Sequence, residues 1–166
     1  MQTKPLNLML HCGAELTSIH DNRITQRPEP LGPRHAPFAY IDLIDGISES
    51  FAALGLRVKQ QALGTLKDGS RMFGMMELAT AANDYAAIVG FRASHDQSIS
   101  AGIAAGTGVF VCDNLAFSGE VSLTTRQTTN VMDRMPELVY NAASKTRVLI
   151  EHQHERVGNY KQLELN

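Results

Sequence analysis

Two clusters of polar, chemically capable residues stand out, each closing an apolar run. Arg92-Ala93-Ser94-His95-Asp96-Gln97-Ser98 follows the run 84–92, and Cys112-Asp113-Asn114 follows Val109-Phe110-Val111. A histidine beside an aspartate can act as a general base whose imidazole is oriented by the carboxylate. Residues adjacent on an extended strand point to opposite faces, however, so His95 and Asp96 pair only if the chain turns there. The competing reading is a polar turn in which Asp96 and the serines bond their own backbone, and residue types alone favour it. A nucleophilic Cys112 needs a neighbouring histidine or positive charge to lower its thiol pKa. His95 supplies one if the two clusters meet, and Cys112 is otherwise a small buried apolar residue. The candidate catalytic set is therefore Arg92, Ser94, His95, Asp96, Cys112, Asp113 and Asn114, as an enzyme or as a metal-binding protein. Its spacings match no metal-ligand motif, so no metal and no cofactor is called for.

A second set of residues suits phosphate. Arg57, Lys59, Lys67 and Arg71 fall in one predicted hairpin, and Arg126, Arg134, Lys145, Arg147, Arg156 and Lys161 in the C-terminal segment. Of these, Arg57, Lys59, Lys67, Arg71, Arg126, Lys145 and Arg147 are the candidates for tracking a nucleic-acid backbone. A solvated charged face is the commoner meaning of such residues. Aromatic residues make up only 6% of the chain, which leaves no obvious platform for stacking bases. The formal net charge of −2 excludes a globally basic binder but not a basic face.

The elements that must position these groups follow from periodicity. Ile41, Ile44, Ile47, Phe51 and Leu54 share one face of a helix over 41–54, with Gly55 as its stop. Residues 56–66 and 71–78 flank Lys67-Asp68-Gly69-Ser70, a hairpin signal. The runs 84–92 and 106–112 are the strongest strand candidates, joined by a loop over 93–105, and 118–124 gives another strand. From Thr128 onward Val131, Met135, Leu138, Val139 and Ala142 recur at helical spacing, and Pro136 predicts a break or a helix start near Met135. The expected fold class is α+β: an antiparallel sheet of about five strands in hairpin order, with the N-terminal helix and the long C-terminal helix packed on one face.

With 166 residues the chain is read as one domain over 41–166, preceded by an extended arm over 1–40 in which Pro28, Pro30, Pro33 and Pro37 crowd together. That arm is a connector or a partner-binding segment. Cys12 and Cys112 lie 100 residues apart and form no C-x-x-C pair, which suits free thiols in a reducing, cytoplasmic setting. No run is long enough to span a bilayer, so no membrane partner is expected. His152 and His154, two apart on a helix, do not share a face and read as a solvated surface.

The central stretch is similar to a known family. Gly90-Phe91-Arg92-Ala93-Ser94-His95-Asp96-Gln97-Ser98, then Val109-Phe110-Val111-Cys112-Asp113-Asn114-Leu115-Ala116-Phe117, resembles the phage- and plasmid-like family called domain of unknown function 932. Asp68-Gly69-Ser70-Arg71-Met72-Phe73 resembles an upstream segment of that family. The resemblance covers roughly residues 40–160. Ala93 departs from a common asparagine, and Arg126-Gln127-Thr128 stands where a Lys-His-Thr is frequent, which removes a histidine from any metal or general-base role. Members are usually longer, and the helical pattern runs on to the last residues, so the chain is expected to be a fragment of a longer protein. The resemblance implies a mobile-element origin without a settled reaction. By analogy, a sheet of sequential hairpins followed by a long helix resembles single-strand annealing proteins. The leading expectation is a non-enzymatic binder of single-stranded or duplex DNA, acting as a homo-oligomer; the alternatives are the enzyme or metal protein above and a protein-interaction or anti-defence module.

Overall fold

The computed structural model describes residues 6, 8–80, 86–107, 109–113 and 117–164. Its chain is α+β. The elements are β1 (Ala14–Thr17), α1 (Ile19–Ile24), α2 (Tyr40–Ala53), β2 (Val58–Leu66), β3 (Arg71–Leu78), β4 (Ala87–Ser94), β5 (Ala101–Gly106), β6 (Phe110–Val111), β7 (Phe117–Ser118), β8 (Val121–Thr125) and α3 (Val131–Glu164). A six-stranded antiparallel sheet has the order β1-β2-β3-β4-β5-β8, and β6 pairs with β7 apart from it.

The alternation along β3 and β4 gives the sheet two covered faces. Met72, Met76, Leu78, Val89, Phe91 and Ala93 join Leu43, Ile44, Ile47 and Phe51 of α2 and Val131, Met135 and Val139 of α3 in one core. Phe73 and Met75 point the other way, into a smaller cluster with Ala14 and Val111, against which Leu6, Leu8, Leu10, Val109 and Phe117 pack. That second layer is made of chain crossing the sheet, not of helices. The helix over 40–53 forms where its apolar stripe predicted it. Gly55 ends it at φ 77°, with Leu56 N–H donating to Phe51 O at 2.9 Å.

Four expectations are corrected. The first forty residues are not an extended arm throughout: β1 is one edge strand of the sheet, and α1 is capped by Ser18 in a capping box with Asp21. Residues 101–105, part of the stretch 93–105 read as loop, belong to β5, an interior strand buried on both faces. Its alanines and glycines carry little apolar signal, but they let Phe117 and Gly119 approach on one side while Ile103 enters the helical core. Of residues 106–112, expected to pair within the main sheet, Gly106 ends β5 there, and among the other described residues only Phe110–Val111 is strand, outside that sheet and lying over β4, where Val111 Cγ2 would be 2.4 Å from a Cβ on Gly90. Finally, α3 runs through Pro136 without a break.

Candidate functional site

The two polar clusters do not meet. His95 continues β4 on the helix-covered side of the sheet. Its Nε2–H donates to Phe38 O at 2.8 Å, and its ring stacks on Tyr40 with centroids 3.8 Å apart and planes 6° off parallel. Cys112 and Asp113 lie on the opposite side, in the layer formed by the N-terminal segment and β6. The condition on which a joint His95–Cys112 site depends is therefore unmet.

Ser94, Asp96 and Ser98 are held within the turn itself. Ser94 Oγ donates to Ile99 O at 2.9 Å and accepts Ile99 N–H at 3.2 Å. Asp96 Oδ1 accepts the Ser98 N–H at 3.0 Å and its hydroxyl, and Gln97 takes a left-handed φ of 62° to close the turn. Arg71 Nε donates to Ser98 Oγ at 2.8 Å and lies 3.8 Å from the Asp96 carboxylate. Arg92 points to the other face, its guanidinium 4.5 Å over the Phe117 ring. Asn114 falls outside the described residues.

The carbonyl of Phe38 can only accept, so His95 keeps its proton on Nε2. Burial holds this imidazole's pKa below its usual value, against the pull of the Phe38 carbonyl. The unfolded chain then takes up a proton first as the pH falls. The stabilisation from His95 is fully present above about pH 6.5 and is lost on going down from there toward the lower folded value. Urea midpoints measured from pH 7 to pH 5 should decline, and His95→Gln should flatten that slope. An unchanged slope in the variant would assign it to other groups.

Asp113 is the more demanding residue. It is 3% exposed, and its carboxylate accepts three backbone N–H groups: His11 at 3.1 Å, Cys12 at 2.7 Å and Ala14 at 3.2 Å. Burial raises its pKa, but these donors outweigh burial and leave it below the ordinary aspartate range. A parallel bridge reinforces the junction, with Asp113 N–H on Met9 O at 3.1 Å. The imidazole of His11 stands 3.6 Å from Cys112 Sγ through either ring nitrogen. His11 and Cys12 were missed as site residues because no local spacing links them to residues a hundred positions on; the only hint is the short apolar run before them.

The seven basic candidates divide between the two ends of the sheet. Lys67 and Arg71 flank the β2–β3 turn, which lies beside the β4–β5 turn through His95 N–H on Ser70 O at 2.7 Å. Arg126 follows β8 at the same end, because Thr125 pairs with Ala101. Arg34 joins them, since His35 bridges to Thr128, and so does Arg134, whose Nη2 donates to Arg126 O at 3.1 Å. Between the β4–β5 turn and the segment after β8 opens a cleft of about 420 Å³ lined by Ser98, Ser100, Arg126, Gln127 and Thr128 among others. Arg57 and Lys59 sit at the far end of β2, about 30 Å away at roughly 3.3 Å per residue. Lys145 and Arg147 lie ten or more residues into α3, well away from its start at the cleft end. Lys59 and Arg147 are also paired, with Glu77 at 2.7 Å and Glu151 at 3.0 Å. Among the described residues no helix is long and apolar enough to cross a membrane.

Comparisons of the chain with protein-family models, curated proteins and solved structures returned no match.

Proposed function

We propose that the chain binds nucleic acid through the turn end of its sheet. The observation that carries this reading is a polar cleft lined by Arg126, with Arg71 bonded to Ser98 of its wall and Lys67, Arg34 and Arg134 at the same end of the sheet. Serine and threonine hydroxyls on the cleft wall suit phosphate oxygens, and the arginines supply charge and directed donors. Lys67 contacts Glu15 at 3.1 Å, but both side chains are largely exposed, so a polyanion can replace that carboxylate at little cost. The contact surface is sparse in aromatic residues, so it grips backbone more than bases, and binding should depend strongly on salt. The resemblance to domain of unknown function 932 agrees with a role on a phage, plasmid or other mobile element, and the hairpin-sheet topology agrees with a binder of single strands.

Fluorescence anisotropy with single-stranded and duplex oligonucleotides tests this. Binding at micromolar protein should weaken steeply with salt. Replacing Arg71 and Arg126 by alanine should weaken it about tenfold or more and lower the salt slope by about two, one per lost contact. Arg57→Ala with Lys59→Ala, at the far end, should leave it nearly unchanged. Salt-insensitive binding, no binding, or equal effects from the two ends would overturn the reading.

A further inference from the structure

A different place in the fold carries a different chemistry, independent of any nucleic-acid role. His11, Cys112 and Asp113 each bring one donor atom to a common point, all within 4.8 Å of one another. The separations are informative. A tetrahedral zinc-class ion, with about 2.3 Å to sulfur and about 2.0–2.1 Å to nitrogen or oxygen, holds its sulfur about 3.6 Å from the other donors. Cys112 Sγ lies 3.6 Å from the His11 ring nitrogens and 3.8 Å from Asp113 Oδ1. Cys12, next to His11 in the chain, is exposed and reaches the same carboxylate through its backbone N–H. A soft thiolate, an imidazole and a carboxylate are a donor set suited to zinc rather than to magnesium or calcium.

The backbone explains how the set is assembled in advance. Asp113 fixes the N–H groups of His11 and Cys12, and so sets the start of both side chains. Its Oδ1 receives one of those N–H groups and keeps a lone pair for an ion. The Met9–Cys112 bridge holds the second segment in register. His11 is exposed, so its ring can turn to present either nitrogen.

We propose that His11, Cys112 and Asp113 bind a divalent ion of the zinc class, with the fourth position left to solvent. Binding releases the Cys112 thiol proton to solvent and leaves that sulfur as a thiolate. The ion then clamps the N-terminal segment to the β6 turn, and the open fourth position keeps the centre within reach of exchange.

The full chain, reduced with a phosphine and stripped with chelator, is titrated with Co²⁺. One equivalent should give a thiolate-to-cobalt charge-transfer band with intense tetrahedral d–d bands, and Zn²⁺ should bleach both. Cys112 is buried and its serine variant risks misfolding, so the exposed residues carry the test. His11→Ala should keep its far-ultraviolet circular dichroism and weaken Co²⁺ binding by more than about 100-fold, beyond the loss typical of an outer-shell partner. Cys12→Ser should keep the tetrahedral site with its thiolate band nearly unchanged, because the single thiolate ligand is Cys112. Replacing His152 and His154 by alanine should change nothing. No thiolate band at one equivalent, an undiminished band in His11→Ala, or a band lost with the His152 and His154 pair would show a hydrogen-bonded thiol only and overturn the proposal.

Discussion

Gly74→Ala should destabilise the fold by about 2–3 kcal/mol, a typical cost of forcing an extra carbon into a packed core. For a chain of this size that is a fall of roughly 5–10 °C in Tm. Gly74 lies in the middle of β3, directly opposite Phe91 of β4. A Cβ there would stand 2.2 Å from Phe91 Cζ and 2.3 Å from Cε2, on the helix-covered face. The Phe91 ring is fully buried and cannot swing to solvent. The neighbouring Leu63 is 3.0 Å from the same point, which closes the other side. The missing side chain is thus filled by the cross-strand ring, and adding one forces the ring off its rotamer or the strands apart. A double-mutant cycle separates this from a general glycine effect. Phe91→Leu alone is destabilising, because it leaves part of the ring's volume empty. In that background Gly74→Ala should cost much less, since the added methyl then meets space. Chemical denaturation of the four chains measures the coupling, and an unchanged cost of Gly74→Ala beside Leu at 91 would refute the ring contact as its cause.

How much of this arrangement could be read from residues alone depended on whether a segment's signal was its own or its neighbours'. The helix over 40–53 carries its own signal, an apolar stripe from Ile41 to Phe51 closed by Gly55. So does the β2–β3 hairpin, through Asp68-Gly69. Strand β5 does not. Its small residues are required by what lies above and below, Phe117 and Gly119 on one side and the helices on the other, and nothing within 101–106 announces that. The second layer was hidden for the same reason. Leu6, Leu8 and Leu10 look like a short terminal run, and only the bare stretch of sheet at Gly64 and Gly90 makes them core. The polar turn at Ser94–Ser98 was legible as a turn because its bonds are local. Asp113 was not, because its partners are backbone N–H groups, which every residue has and no side-chain motif can mark.

Asp113→Ala should have the larger effect, about 3–5 kcal/mol, and a distinct location. Three hydrogen bonds to a charged acceptor, at about 1.5–3 kcal/mol each, set the upper bound. The released N–H groups can recover part of that by reaching water once the segment lifts. Lifting it uncovers the face carrying Phe73, Met75 and Val111, so the loss should appear as local opening before global unfolding. Hydrogen exchange should show the amides of His11, Cys12 and Ala14 unprotected, and limited proteolysis should cut near residues 8–13 while β3 and β4 stay intact. Asp113→Asn keeps one acceptor oxygen and should fall between the two. The pH dependence follows from the same bonds. The folded-state pKa lies below the unfolded value of about 3.9, so the stabilisation is present above that pH and is lost as the pH falls through the folded value. The parent chain should therefore lose protection at His11, Cys12 and Ala14 in acid before the helical core opens, whereas Asp113→Ala should show those amides open at every pH. Retained protection of the three amides in Asp113→Ala would mean that the apolar contacts of Leu8 and Leu10 hold the segment by themselves, and that the carboxylate is not what joins the two layers.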